Sequence, residues 1–189
     1  MGELLENLLA ASRLAGAEPA VATEEIDVRG FLQEIAATLR ARAPHRSIRT
    51  RVTGTPVVTS DPTLLYRVLY NLGDNALKYS DGPVSLSARV ARGAVRIDVV
   101  DRGIGIDDED LTRIFERFEQ LDGSSARRVG GVGLGLYLSN RLATVLGGRI
   151  DVRSESGVGS TFTLILPIQP QMSLLDLSEG QDELQDVVT

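Results

Sequence analysis

Five stretches of the chain show apolar and polar residues in alternation, the pattern of a β-strand with one buried face. These predicted strands span Ser47–Val52, Val84–Val90, Val95–Val100, Ile150–Ser154 and Thr161–Leu166, and Val57 with Val58 adds a short sixth. Arg92 and Gly93 separate two of the strands as a short turn sequence, which predicts a β-hairpin.

A second pattern, with apolar residues three and four positions apart, predicts helices. Their approximate ranges are 1–16, 27–42, 61–79, 107–115 and 135–146. Asp27, Asp61 and Asp107 stand where N-caps are needed, and Gly147 with Gly148 ends the last helix. Because strands and helices do not alternate strictly, the expected fold is an α/β two-layer sandwich, a mixed sheet with helices on one face.

The length of 189 residues predicts one domain with tails. We expect a helix end and linker over residues 1–24, the domain over 25–168 and an acidic tail over 169–189. The chain has no cysteine, and His45 is its one histidine. This composition excludes disulfides, zinc sites of the usual kind and cysteine nucleophiles.

The net charge of −6 is concentrated in the tail, which holds five acids and no base. Without it the chain is nearly neutral, which argues against nucleic-acid binding by charge. The tail is expected either to be disordered or to dock through its leucines on a partner. A local group of arginines between Arg40 and Arg51 is interpreted as solvated surface, with a phosphate or partner contact as the alternative.

The sequence shows neither a signal peptide nor an apolar run of membrane length. The expected location is therefore the cytosol, without direct membrane contact in this fragment.

The first candidate for chemistry is Asp101, which ends a predicted strand and precedes Gly103 and Gly105. A carboxylate fixed there can accept from the amino group of adenine, whereas guanine presents a carbonyl that it would repel. Glycines without Cβ atoms would let a flat ligand lie against the backbone. An ordinary turn remains the alternative. A Rossmann-type loop fits poorly because acids open the next segment and a third glycine is missing.

A polar stripe on the predicted helix 61–79 is the second candidate, with Asn71, Asn75 and Lys78 one turn apart. The amide oxygen of Asn75 can ligate Mg²⁺ when phosphates supply the negative charge. Asn71 can reach the same ion or a phosphate, and Lys78 supplies a positive charge. A solvated helix edge is the alternative interpretation.

The third candidate is the glycine run from Gly130 to Gly135, whose backbone N–H groups can converge on phosphates at a helix N-terminus. Arg127 and Arg128 lie close enough in sequence to reach over a triphosphate. A flexible hinge is the alternative. Before it, Glu119–Val129 is a polar loop predicted to be mobile, and Phe115 and Phe118 are interpreted as core anchors that pin its hinge.

Together these segments resemble the catalytic ATP-binding domain of bacterial sensor histidine kinases, within the GHKL superfamily. The similarity extends over about residues 27–167, and its five motifs occur in the family's order. They are the N box at 71–80, the first glycine box at 101–106, the F box at 114–118, the second glycine box at 131–136 and the last glycine box at 157–162.

The resemblance implies a Bergerat-type fold with a mostly antiparallel sheet, and ATP and Mg²⁺ as cofactors. It implies that Asp101 reads adenine, that Asn75 binds Mg²⁺, and that Asn71, Lys78 and Arg127 serve the phosphates, so that Asn71, Asn75 and Lys78 are the catalytic group. The further implied nucleotide contacts are Tyr79, Gly103, Gly105, Ile106, Phe115, Gly131, Val132, Gly133, Leu134, Gly135, Leu136 and Thr161.

Relatives that hydrolyse ATP carry a glutamate base where this chain has Asn71. An amide cannot take a proton from water, so the resemblance favours phosphotransfer to a protein histidine. The alternatives are a serine kinase of the anti-sigma type, a slow ATPase, and a non-catalytic module that senses ATP.

The family's phosphoacceptor box is absent from this sequence. Residues 3–14 resemble only the end of the dimerisation hairpin's second helix, and His45 lies in the region of the first predicted strand, where it is not a plausible acceptor. The implied partners are the dimerisation domain of a homodimeric parent kinase and a downstream response regulator. Such a parent can be membrane-anchored.

Overall fold

A computed structural model of the chain describes residues 21–119 and 133–168. Several predictions concern residues outside these ranges. They are the N-terminal helix, the loop from residue 120 on, the roles of Arg127, Arg128, Gly131 and Val132, and the acidic tail.

Five strands form the main sheet, in the order β2-β4-β5-β7-β6. They are β2 (Ile48–Val52), β4 (Val84–Ala91), β5 (Ala94–Val100), β6 (Arg149–Glu155) and β7 (Gly159–Pro167). β2 pairs with β4 in parallel, and all other neighbours in this sheet are antiparallel. Two further strands, β1 (Glu24–Asp27) and β3 (Val57–Ser60), pair with each other. The sequence predicts a linker that ends at Glu24, whereas in the structure β1 begins at this residue.

Three α-helices pack on the sheet, α1 (Val28–Arg42), α2 (Pro62–Lys78) and α3 (Gly135–Val145). Two of the three predicted caps are confirmed: Asp27 accepts from the backbone N–H groups that open α1, and Asp61 accepts from the N–H of Leu64. At the end of α3, Gly147 has φ of +72°, and the Gly148 N–H bonds to the carbonyl of Ala143 at 2.8 Å. No helix in the described ranges combines the length and hydropathy needed to cross a bilayer.

The prediction of one capped helix over 107–115 is wrong. The segment forms two 3₁₀ turns, Asp108–Asp110 and Arg113–Phe115, and the Asp107 side chain makes no capping bond. Within these turns Ile114 is the one buried residue. A single buried side chain gives no apolar stripe for packing a regular helix, so the acid-rich segment stays in short turns.

The core lies between the helices and one face of the sheet. Alternate residues of each strand point to the helices, which bury the side chains of Leu86, Ile97, Val99, Leu164 and Leu166 against Leu32, Ile35, Leu65, Leu69 and Leu72. The predicted two-layer sandwich with a mixed, mostly antiparallel sheet is therefore confirmed.

Candidate nucleotide-binding site

Asp101 lies directly after β5, and its side chain is 7% exposed. Its Oδ1 accepts from the N–H of Gly103 at 2.8 Å, and Ser160 hydrogen-bonds to the same carboxyl group. Burial raises the pKa of Asp101 above its ordinary value of 3.8, and the bonds from Gly103 and Ser160 oppose that rise. The carboxylate is thus a fixed acceptor whose orientation is set before any ligand arrives.

The glycines after Asp101 are required by contacts between backbone segments rather than by space for a flat ligand. A Cβ on Gly103 would lie 2.0 Å from the carbonyl oxygen of Tyr79, at the end of α2. One on Gly105, which has φ of +68°, would lie 2.0 Å from the carbonyl oxygen of Glu155. The loop therefore wedges between α2 and β6, and a side chain at either position would force them apart.

Gly105→Ala should lower the free energy of unfolding more than Gly157→Ala does. Both glycines have positive φ, +68° and +78°, so both variants incur the left-handed backbone cost of roughly 1–2 kcal/mol. Of the two, only a Cβ added at Gly105 would lie within 4 Å of another backbone segment. This contact adds an overpacking cost of about 1–3 kcal/mol to the Gly105→Ala variant. Urea titrations of the two variants measure the difference, and equal midpoints would contradict the close approach to Glu155.

Three further bonds fix the loop from Gly103 to Ile106. The N–H of Ile104 donates to the carbonyl of Tyr79 at 3.2 Å, the carbonyl of Ile104 accepts from the N–H of Gly157 at 2.7 Å, and the N–H of Ile106 donates to Ser154 Oγ at 2.9 Å. The structure thus brings Tyr79, Asp101, Gly103, Gly105 and Ile106 together at one end of the sheet.

Thr161 lies outside this group, and its assignment as a nucleotide contact stays a prediction. Thr161 pairs with Val100, and both lie on the face of the sheet opposite the helices. Its neighbour Ser160 points inward to Asp101 and is 7% exposed, as expected from the alternation of side chains along a strand. Ser160 was not predicted from the sequence.

The polar stripe of α2 meets α3 through Asn71. Its Nδ2 donates to Ser139 Oγ at 2.8 Å, and a Cβ on Gly135 would lie 2.6 Å from its Oδ1. Gly135 is the first residue of α3 and the last glycine of the predicted run. The N-terminus of α3 and the stripe of α2 are therefore in direct contact, as a shared phosphate site requires.

Lys78 is held by an acid that the sequence analysis did not single out. Its Nζ lies 2.5 Å from Oδ2 of Asp74, and Arg42 Nε lies 2.7 Å from Oδ1 without hydrogen-bond geometry. Asp74 is 2% exposed, so its charge is buried between two cations. The i,i+4 spacing of Asp74 and Lys78 on a helix was the signal that could have revealed the pair.

Asn75 is half-buried one turn after Asn71, and its side chain makes no hydrogen bond to any described residue. No cluster of three or more histidine, cysteine or acidic side chains in ranges 21–119 and 133–168 could hold a metal ion alone. An amide oxygen is a hard donor that suits Mg²⁺ when phosphate oxygens complete the shell. The residues present therefore fit a metal that arrives with a nucleotide.

The two ends of the undescribed segment 120–132 lie side by side. The Phe118 N–H donates to the carbonyl of Gly133 at 3.1 Å, and a Cβ on Gly133 would lie 2.6 Å from the carbonyl oxygen of Glu119. Phe115 packs against the core as predicted. Phe118 is 64% exposed with φ of +63°, so the prediction that its ring is a core anchor is wrong.

Behind Gly133, Leu134 is buried and Leu136 is partly buried against the core. A groove of about 590 Å³, lined by residues of α1, α2 and α3, reaches Asn71 and Gly135 from the helical side. Asp101 does not line it. The groove thus touches the phosphate end of the candidate site and not the acceptor for the base.

Comparison with known proteins gives concordant results. Residues 60–170 match the family described as histidine kinase-, DNA gyrase B-, and HSP90-like ATPase. The sensor-like histidine kinase SenX3 of Mycobacterium tuberculosis is 40% identical over 172 residues, which cover 88% of this chain and 42% of SenX3. This chain therefore spans less than half the length of that relative.

Solved structures show the same fold. Full-length ShkA in complex with AMPPNP superimposes with a TM-score of 0.80 and 31% identity, over 90% of this chain and 36% of that one. The histidine kinase AdeS of Acinetobacter baumannii, at 23% identity, has a TM-score of 0.73 over 89% of this chain and 78% of its own. By its sequence match and its fold, this chain belongs to the histidine kinase-, DNA gyrase B- and HSP90-like ATPases.

Proposed function

We propose that this domain, with Mg²⁺, transfers the γ-phosphate of ATP to a histidine on the dimerisation hairpin of its parent kinase. The observation that carries the proposal is the junction of α2 and α3, where the amide of Asn71 meets Gly135 and Ser139. This junction places the polar stripe beside a helix N-terminus, and the stripe presents amides where a hydrolase needs a carboxylate base.

The chain's own residues bind and orient the nucleotide. Asp101 accepts from the adenine amino group, and Asn71 and Lys78 hold the phosphates, with Lys78 dividing its charge between them and Asp74. Asn75 supplies an oxygen to Mg²⁺, which when bound neutralises charge on the transferring phosphoryl group. We assign Arg127, Gly131 and Val132 to the phosphates on sequence grounds alone.

The nearest acid on α2 cannot serve as a base for water. Asp74 precedes Asn75, but it is 2% exposed and lies between Arg42 and Lys78. Its oxygens lie against two cations, and burial keeps water away from it. Fast hydrolysis is therefore disfavoured, and a protein acceptor receives the phosphate.

We further propose a homodimeric parent with a response regulator downstream, and a cytosolic position for this domain. The similarity to SenX3, named a sensor-like histidine kinase, supports the first part. ATP is a cytosolic substrate, which supports the second. Residues 1–24 would then join the domain to the hairpin that carries the acceptor.

His45 is exposed in the turn between α1 and β2. Strand pairing places this turn at the same end of the sheet as Asp101, closer to the site than its sequence position indicates. The turn is fixed, because the side chain of Arg46 donates to the carbonyls of Leu77 and Gly82 and to Ser80 Oγ. A fixed turn does not deliver an imidazole in line with a γ-phosphate.

Incubation with labelled ATP, Mg²⁺ and a hairpin fragment of the same parent tests the proposal. We expect an acid-labile, base-stable label on the hairpin alone, with the same yield from the His45→Ala variant. Label on this chain that survives His45→Ala would indicate a hydroxyl or carboxyl acceptor, as in a serine kinase. An unlabelled cognate hairpin would instead support a module that only senses ATP.

A further inference from the structure

The face of the main sheet that points away from the helices is strongly basic. Strand alternation places six arginines and three acids there, Arg49, Arg51, Arg89, Arg96, Arg149 and Arg153 with Asp98, Asp151 and Glu155. We call this surface the arginine face. Its positive balance stands against a whole-chain charge of −6, so it does not follow from the composition.

Strand register assembles these residues into rows across the sheet. Arg89, Arg96 and Arg149 share one row with Ile165, which they flank on three strands. Two further rows begin on the edge strand β2, one at Arg51 and the other at Arg49. The row that begins at Arg49 ends at Arg153 on β6. At roughly 4.8 Å between strands and 3.3 Å between residues, the rows concentrate the charges in one continuous patch.

The three acids neutralise only part of this charge, and Glu155 forms no ion pair with a described arginine. Asp98 is bound by Arg89 and accepts from Thr163 Oγ1 at 2.8 Å. Asp151 lies 3.2 Å from Arg149 Nε and 3.7 Å from Arg96. Arg49, Arg51 and Arg153 have no acidic partner among the residues that the structure describes.

The patch also has an apolar element. Ile165 is 5% exposed although it lies on the arginine face and outside the helix-packed core. Its cross-strand neighbours are Arg96 and Arg149, whose aliphatic stems can cover apolar surface while their guanidinium groups stay in water. The surface that an occupant meets there is therefore formed by arginine side chains, which suits an acidic occupant.

We propose that the arginine face binds the chain's own acidic segment, residues 169–189. This segment holds Asp176, Glu179, Asp182, Glu183 and Asp186, no basic residue, and the apolar Leu174, Leu175 and Leu177. Its negative charge complements the arginine face.

The exit of β7 supplies the geometric argument. The Ile168 N–H donates to the carbonyl of Gly93 at 3.2 Å, so the described chain ends beside the row of Arg89, Arg96 and Arg149. The eight residues that follow Ile168, up to Asp176, can span up to about 26 Å, and the farthest row, that of Arg49 and Arg153, lies roughly 23 Å along the strands from Ile168. The acids therefore reach every row.

Because the acidic segment is tethered to the domain, many weak ion pairs are sufficient to keep it bound to the arginine face. A segment joined to its target by a short linker acts at millimolar effective concentration, so individually weak pairs can still keep it bound. Exposed pairs are screened by salt, and the association should therefore weaken as ionic strength rises.

The absence of cysteine in the chain allows a clean test with a single probe. In the full chain, Ser178→Cys carries a nitroxide label, and backbone amide signals are compared before and after its reduction. At low salt we expect loss of signal intensity at β5, β6 and β7 and unchanged intensity in α1 and α2. High salt should restore the lost signals.

Two matched double variants decide whether the arginines are responsible. Arg51→Glu with Arg153→Glu changes the arginine face, and Arg67→Glu with Arg141→Glu makes the same charge change on exposed helical positions. The first pair should abolish the broadening and the second should leave it intact, with dispersed spectra showing that both fold.

Three outcomes would overturn the proposal. They are equal effects of the two pairs, broadening of the helical layer, and a native spectrum without broadening. A native spectrum without broadening would mean that the arginine face binds another acidic molecule instead. The readout requires no nucleotide, so it is independent of the proposed phosphotransfer.

Discussion

Replacement of Asn75 by alanine should lower the rate of Mg²⁺-dependent phosphotransfer by on the order of 10²–10³-fold, the usual loss for one preorganised group at a charged transition state. Asn75 is the one amide of the α2 stripe without a hydrogen bond to a described residue, so its oxygen is available to a metal. Nucleotide affinity measured without Mg²⁺ should change little, because the acceptor for adenine lies at the end of β5.

Asn140→Ala is the matched control for this measurement. It removes the same amide from α3 at similar burial, and its side chain does not line the junction with α2. Single-turnover transfer to the hairpin, measured over a range of Mg²⁺ concentrations, should separate the two variants. Native rates from Asn75→Ala would remove Asn75 from the metal site.

The second large effect is expected for Asp101→Asn, which should weaken ATP binding by about 1.5–3 kcal/mol, the value of a hydrogen bond to a charged group. The fold should survive, since burial already disfavours the ionised carboxylate and the amide oxygen can still accept from Gly103. Calorimetry compares the variant with the native chain, which should itself bind GTP poorly. Equal ATP affinity would mean that Asp101 does not read the base.

Acidification should also lower the ATP affinity of the native chain. Because the pKa of Asp101 is raised above 3.8, the carboxylate is protonated at a higher pH than an ordinary aspartate, and ATP affinity should fall there. The folded state without nucleotide holds this proton more tightly than the unfolded chain. The Asp101 contribution to stability is therefore unfavourable above the folded pKa and improves as pH falls through it. Asp101→Asn should lack both effects.

Most of the architecture could be predicted from local patterns. Strand alternation located all five strands of the main sheet, and the caps Asp27 and Asp61 located the starts of two helices. These signals are visible in sequence because side-chain burial repeats with the period of each element. The same reasoning gave a wrong helix over 107–115. That segment has a residue suited to an N-cap, Asp107, but no stripe of buried side chains to stabilise a helix.

The candidate site divides in the same way. Asp101, Asn71, Asn75 and Lys78 stand out in sequence because a strand end and a helical stripe place them by short-range geometry. Ser160 could be recognised only from strand register, because neighbouring positions of one strand face opposite sides.

The sequence by itself thus determined the order of the elements, the apolar faces and the residue types available for chemistry. Tertiary structure alone decided which backbone atoms crowd Gly103 and Gly105, that Asp74 pairs with Lys78 and Arg42, and that six separated arginines share one face. The reason is physical: burial periodicity is a local property, whereas close approach and charge clustering depend on which distant segments pack together.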